Sequence, residues 1–376
     1  MSGLKRVAVI IGTRPEAIKL APVIQALRED GALSPWIIAT AQHRDMLDAA
    51  LAETGLTPDI DLDLMSPGQT LSAFSAVCLQ ALGHLFERDR ADYVIGQGDT
   101  NTAFVAALAA FHARIGFGHV EAGLRSGRSD TPFPEEMNRR MVSLLARHHF
   151  CPTNAAEANL LREGIAAETI HVTGNTAIDT LLSLSNSFGP PSPHRRHTML
   201  VTVHRRENFE ALPAITAAVR TLLDRFPDLH VRWPVHPNPQ LGTIIHATLG
   251  DHPRVELTRP LPYRSFVAAM REARLILSDS GGVQEEAPAL GTPVLVLRNE
   301  TERPEGVFAG VSRLVGNDPQ TIVPAAACII EDDDAHLSMS PGISPYGDGQ
   351  AAQRIARIVR AHLAPAAAFA NLAATG

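Results

Sequence analysis

Residues 7–29 read VAVIIGTRPEAIKLAPVIQALRE. Val7 to Ile11 is a continuous apolar run rich in β-branched residues, and it stops at Gly12-Thr13-Arg14-Pro15. From Glu16 to Glu29 the apolar residues recur at helical spacing. A short run that is apolar throughout reads as a strand buried on both faces, and a helix follows it after a polar turn. That is the opening of a βα unit in a parallel sheet. The run is too short for the apolar segment of a signal peptide and has no cleavage-site pattern behind it.

The alternation continues outward from there. Apolar runs at Trp36–Ala39, Tyr93–Gly96, Ile115–Val120 and Ile170–Val172 are separated by helical stretches such as Thr102–Phe111 and Glu135–His148. The stretch SNSFGPPSPHRRH at 185–197 then interrupts the pattern and reads as an interdomain linker. Strands resume at Met199–Val203, His230–Val235, Val255–Leu257, Leu275–Leu277 and Pro293–Leu297. Two successive α/β domains are expected, over 1–184 and 197–349, which suits a chain longer than the roughly 250–300 residues one core serves. The alanine-rich tail after Pro365 is expected to fray.

Bulk composition narrows the function classes. Aromatic residues make up only 5%, against the stacking platforms of lectins and single-strand binders. Net charge is −7, so the chain is a poor general binder of nucleic acid, and any phosphate site must be local. Cys78, Cys151 and Cys328 are scattered without metal or disulfide spacing, which points to a reducing, cytoplasmic compartment. No apolar stretch reaches the ~18 residues of a membrane span.

Ligands of open parallel sheets bind beyond the carboxyl ends of the strands. Polar motifs cluster there: Gly12-Thr13-Arg14, Gly98-Asp99-Thr100, Glu121-Ala122-Gly123, His204-Arg205-Arg206, His236-Pro237-Asn238, Ser280-Gly281-Gly282 and Thr301-Glu302-Arg303. This implies a ligand held in a cleft between two facing domains. Each motif also has a plainer reading. Ser280-Gly281-Gly282 is either a phosphate cradle, where glycines let the backbone approach an anion, or an N-cap with a tight turn. Arg14 suits a pyrophosphate, with Lys19 one turn on, or the two are a solvated pair. His204-Arg205-Arg206 suits a leaving diphosphate or is a surface cluster. Among the carboxylates, Asp99 could cap a helix, and one of Glu135 and Glu136 could cap another. Glu121 has no such alternative and is the strongest candidate for proton transfer. No HxxxH, HxH or DxD ligand pair accompanies His204 and His236, and no GxGxxG or P-loop motif is present, so neither metal nor nicotinamide is expected and no cofactor is assigned.

The motifs GTRPEAIKLAPVIQAL (12–27), TAQHRDMLD (40–48), GDTNT (98–102), GHVEAGLRSG (118–127), PEEMNRR (134–140), HRREN (204–208), SDSGGVQEEAPALGTPVLVLR (278–298), TERPE (301–305) and SPYGDGQA (344–351), taken in order, resemble the bacterial non-hydrolysing UDP-N-acetylglucosamine 2-epimerases. The resemblance implies a glycosyltransferase-B fold, two Rossmann-like domains with a last helix, about 350–365, returning to the first. It implies a homodimer that interconverts UDP-N-acetylglucosamine and UDP-N-acetylmannosamine for polysaccharide synthesis. It assigns Asp99, Glu121 and Glu135 to the proton steps and Arg14, Lys19 and His204 to active-site cations. Substrate-binding positions are Arg139, His236, Phe266, Ser280, Gly281, Gly282, Glu286 and Arg303. Gln42, His43 and Gln69 resemble part of a regulatory site. Departures at Gln97, Asn101, Val203 and Pro237 leave the sugar's substituents open, and those at Asp45 and Gly68 leave regulation open. A hydrolysing epimerase, a retaining glycosyltransferase and a silent UDP binder are the competing readings.

Overall fold

The computed structural model describes residues 3–40, 44–66, 68–205, 208–342 and 344–364. Gln42, His43 and the tail after residue 364 lie outside them, as do Arg206 and Glu207. The described residues form two compact units. One takes the chain up to Thr180 and again from Gly349, and the other is Leu181–Asp348.

The first unit holds a seven-stranded sheet: β1 (Lys5–Ile11), β2 (Leu33–Ala39), β3 (Ile60–Asp61), β4 (Tyr93–Gln97), β5 (Gly116–Val120), β6 (His148–Cys151) and β7 (Ile170–Val172). Every pairing is parallel, in the order β3-β2-β1-β4-β5-β6-β7. The second holds six parallel strands: β8 (Thr198–Thr202), β9 (His230–Pro234), β10 (Val255–Thr258), β11 (Leu275–Ser278), β12 (Val294–Val296) and β13 (Ser312–Leu314). Their order is β10-β9-β8-β11-β12-β13. In each sheet the chain works outward in one direction and then restarts beside its first strand. The switch points fall between β1 and β4, and between β8 and β11, where crevices form in such sheets.

The apolar runs are strands because they are covered on both faces. Val7, Val9 and Ile11 pack into one core layer with the helix Arg14–Glu29, while Ala8 and Ile10 pack into the opposite layer with Phe74, Val105 and Phe117. The second sheet has its own core around Val201, Trp233, Leu277 and Leu295. The helix Ala351–Leu363 belongs to the first unit, where Ala352, Ile355, Ala356 and Val359 join the layer of Val7 and Leu20. Burying side chains of the size of Ile355 and Val359 contributes about 1.5–3 kcal/mol each. Asp179 starts this helix by accepting from the Ala351 and Ala352 amides at 3.3 and 2.8 Å.

Some local expectations give way. The helix expected over Glu135–His148 ends at Leu145, and His148 opens β6. The Arg147 amide donates to Phe117 O at 2.7 Å, so pairing with β5 overrides the helical period. The short strands β3, β6 and β13 carry no apolar run that marks them in advance. Within 185–197, the helix Thr176–Asn186 continues through Asn186 and residues Pro193–His197 form a 3-10 turn. Arg195 fastens that turn within the second unit, donating to Ala273 O and Gly291 O at 3.0 and 2.6 Å. Among the described residues no helix is long and apolar enough to cross a membrane.

Candidate active site

In the first unit the polar residues stand past β1, β4 and β5. Arg14 opens the helix after β1, half-buried, and among the described residues its guanidinium has no hydrogen-bond or ion-pair partner. Lys19, one turn on, reaches Glu121 beyond β5, with Nζ 2.6 Å from Oε1. The other oxygen of Glu121 accepts from Gln97 Nε2 at the end of β4. Glu121 itself sits at φ 65°, a left-handed conformation that a glutamate adopts at a cost of order 1–3 kcal/mol. Its surroundings hold it there: Lys19 and Gln97 grip the side chain, and the following Ala122 amide donates to Phe150 O at 3.0 Å.

Asp99 follows β4 and is not the helix cap. Thr100 caps instead, its hydroxyl accepting from the Ala103 amide at 3.0 Å. This leaves the Asp99 carboxylate to Arg139, whose Nε and Nη2 lie 2.9 and 2.6 Å from Oδ2. Arg139 is therefore a clamp on an acidic group in this structure, and the same guanidinium donates to Glu136 at 3.0 Å. The two adjacent glutamates separate cleanly. Glu136 is fully buried and accepts from the Ser126 amide at 3.0 Å as well, a scaffold role. Glu135 keeps a buried Oε2 with no hydrogen-bond partner among the described residues.

Sequence reasoning missed two residues beneath this surface. Glu16 is buried, and its carboxylate accepts from the Gly12 and Thr13 amides at 2.8 and 2.7 Å and from the Thr100 hydroxyl at 2.6 Å. Burial pushes its carboxyl above the usual range, against the opposing pull of those hydrogen bonds. The Thr13-x-x-Glu16 spacing of a capping box was the available signal. His119 is fully buried in β5 and donates through Nε2 to Gly98 O at 2.7 Å. Burial lowers its pKa to about 3, so it is a neutral prop for the Gly98-Asp99 turn.

In the second unit the residues stand past β8 and β11. His204 follows β8, and its Nδ1 lies 2.9 Å from Oδ1 of Asp279, the residue after β11. Asp279 has no exposure, and it also accepts from the Arg205 amide and Asn208 Nδ2, both at 3.0 Å. Burial alone would raise its pKa, but the hydrogen bonds from His204, Arg205 and Asn208 outweigh it and hold the carboxyl below its usual range. No sequence pattern singles Asp279 out. It was one polar residue among several in Ser278-Asp279-Ser280.

Ser280 caps the short helix Gly281–Glu286, its hydroxyl accepting from the Val283 amide at 3.4 Å. The first amides of that helix, Gly281 and Gly282, have no intrahelical acceptor. Arg303 lies over the turn. A Cβ built on Gly281 would sit 3.1 Å from its Cζ, so a larger residue would displace the guanidinium. Glu285 Oε1 holds Arg303 Nε at 2.7 Å, and Glu286 ends the same short helix. His236 stands past β9, its Nδ1 accepting from the Asn238 amide at 3.1 Å, and its ring is 5.8 Å from that of Phe209. Phe266 is half-buried on the helix Tyr263–Arg271. Gln69 closes a local turn, its Oε1 accepting from the Ser66 amide at 3.1 Å. Among the described residues no cluster of three or more His, Cys, Asp or Glu could hold a metal ion.

Residues 25–360 match the family model described as UDP-N-acetylglucosamine 2-epimerase. The chain belongs to that family. It is 44% identical to the UDP-N-acetylglucosamine 2-epimerase of Bacillus subtilis, covering 93% of both chains. It is 43% identical to that of Escherichia coli K12, over 93% of this chain and 97% of the relative. Among solved structures, the Neisseria meningitidis UDP-GlcNAc 2-epimerase bound to UDP-GlcNAc superposes with a TM-score of 0.82 at 39% identity, covering 94% of this chain and 99% of that one. The two parallel Rossmann-like sheets, with acidic groups past β4 and β5 and a glycine turn past β11, are this family's fold as it occurs in this chain.

Proposed function

We propose that the chain is a non-hydrolysing epimerase that interconverts UDP-N-acetylglucosamine and UDP-N-acetylmannosamine. The C2 proton of the sugar is not adjacent to a carbonyl, so removing it alone would leave an unstabilised carbanion. Elimination avoids this. A carboxylate takes the C2 proton as the C1–O bond to UDP breaks, and the electron pair forms the C1=C2 bond of 2-acetamidoglucal. The first elimination is anti. Protonation of C2 on its other face, with attack of the UDP oxygen on C1, is a syn addition that returns the inverted sugar.

The observation that carries the reading is the trio of Glu121 bound to Lys19, Asp99 bound to Arg139, and Glu135 with a buried, unpartnered oxygen. Proton removal and return at one carbon need carboxyl groups whose environments differ, and these three differ in partner and burial. In the second unit, His204 and the Ser280-Gly281-Gly282 turn supply the side chain and amide donors that suit a departing diphosphate. Support also comes from the UDP-GlcNAc-bound Neisseria meningitidis relative and from a Staphylococcus aureus relative solved with UDP, 42% identical and with a TM-score of 0.83.

The test is incubation with UDP-N-acetylglucosamine in D2O, followed by NMR. The expected result is mannosamine product with deuterium at C2 and little free UDP. Stoichiometric free UDP would replace this reading with a hydrolysing epimerase, and an unlabelled, uninverted sugar would remove the epimerase reading for this substrate.

A further inference from the structure

We propose that Glu16 is a positioning residue for the C2 chemistry, coupling the loop that carries Arg14 to the turn that carries Asp99. The inference rests on the reading of those two residues as active-site groups given above. Parallel pairing between β1 and β4 runs from Val7↔Tyr93 to Val9↔Ile95 and goes no further. The loops that bear Arg14 and Asp99 lie beyond it, so the strand ladder does not fix one against the other.

Glu16 supplies the missing tie. One oxygen, Oε2, gathers the first loop by accepting from the Gly12 amide at 2.8 Å, the Thr13 amide at 2.7 Å and the Thr13 hydroxyl at 2.9 Å. The other, Oε1, accepts from the Thr100 hydroxyl at 2.6 Å, directly beside Asp99. A capping box explains the Thr13 contacts. It does not explain Thr100, 84 residues away. The same two segments also meet at Gly12, where a Cβ would lie 2.8 Å from the Thr40 hydroxyl and run into the Thr102 side chain. Lys19, which holds Glu121, rides on the same helix as Glu16. A buried carboxylate thus sets the start of that helix against the Asp99 turn without itself meeting the substrate.

Glu16→Gln tests this in the full chain, with initial rates read by NMR over a range of UDP-N-acetylglucosamine concentrations. The amide keeps an acceptor for Gly12 and Thr13 but turns a donor toward the Thr100 hydroxyl. Expected is a fall in kcat of about ten- to hundredfold from misplaced groups, with KM within about threefold. Thr100→Val cuts the link from the other side, and it also removes a helix cap, which lowers stability without setting kcat. If both act through one link, the double variant is no slower than the slower single variant. Unchanged kcat in both singles, or effects that multiply in the double, overturns the proposal. Should Glu16→Gln not fold, Thr100→Val alone decides by the same kcat-against-KM split. Wild-type protein that leaves C2 unlabelled is a different failure: it overturns the epimerase reading, and this coupling with it.

Discussion

The two sheet ends handle charge in opposite ways. Past β4 and β5, acid and base are both partly reachable: Lys19 and Glu121 are 20% and 8% exposed, and Arg139 and Asp99 are 17% and 28%. Past β8 and β11 the pair is polarised. Asp279 is wholly buried, and its partner His204 has 46% of its side chain exposed. The first arrangement keeps carboxyl groups available to exchange a proton. The second hides the acid and presents only the imidazole it anchors. A group meant to gain and lose protons must stay accessible, whereas a group meant to face a phosphate benefits from a fixed counter-ion behind it.

That contrast breaks most sharply at Glu121. Glu121→Gln removes the carboxylate and is expected to lower C2 inversion by about 10²–10⁴-fold, the range for loss of a general acid or base. UDP affinity measured by calorimetry should change little. An equal loss of UDP affinity would mean that the proton and diphosphate roles are not divided as proposed. Asp279→Asn comes next. It keeps the shape and removes the charge behind His204, and a drop in kcat of about ten- to hundredfold is expected from a loosened imidazole. A normal kcat would make Asp279 a structural residue only.

The smallest effect is a difference in acid sensitivity. An unfolded histidine protonates near 6.5, whereas folded His119 and His148 do so only near about 3, chiefly because burial disfavours the charged ring. His149, His171 and His362 are lowered in the same direction. Their folded forms stay neutral while the unfolded chain takes up protons, so stability is lost as pH falls below 6.5. All five belong to the first unit. In the second unit only His252 and His336 are lowered among the described residues. The stability that Asp279 contributes is lost in the same direction but at lower pH. It is present above the ordinary carboxylate value of 3.8 and is lost only as pH falls through the depressed folded value. Hydrogen exchange at pH 7 and pH 5 should therefore show protection lost first in β4 to β7. Equal loss in both units would contradict the assignment of these histidines.

Much of this was legible in advance because it is local. The run Val7–Ile11 has the composition of a doubly covered strand whatever it pairs with, and Glu121, Asp99 and Ser280 stand at strand ends that any parallel sheet presents on one side. The ambiguities were also local. Asp99 looks like a cap until Thr100 proves the better-placed oxygen, and Glu135 and Glu136 are indistinguishable until one is buried against Ser126 and Arg139. Asp279 escaped notice because a buried carboxylate is recognised by its partners, and its partners stand past another strand, as does the Thr100 hydroxyl that Glu16 holds.

The amino-acid order alone determined the alternation of strand and helix, the parallel class and the polar character of the loops, since these follow from side-chain period and backbone sterics within a few residues. Only the folded chain decided which acid meets which base. Lys19 reaches Glu121 across 102 residues, Arg139 reaches Asp99 across 40, and His204 is joined to Asp279 across 75. Such pairings depend on strand order at the switch points, and strand order is a property of the assembled sheet rather than of any segment in it.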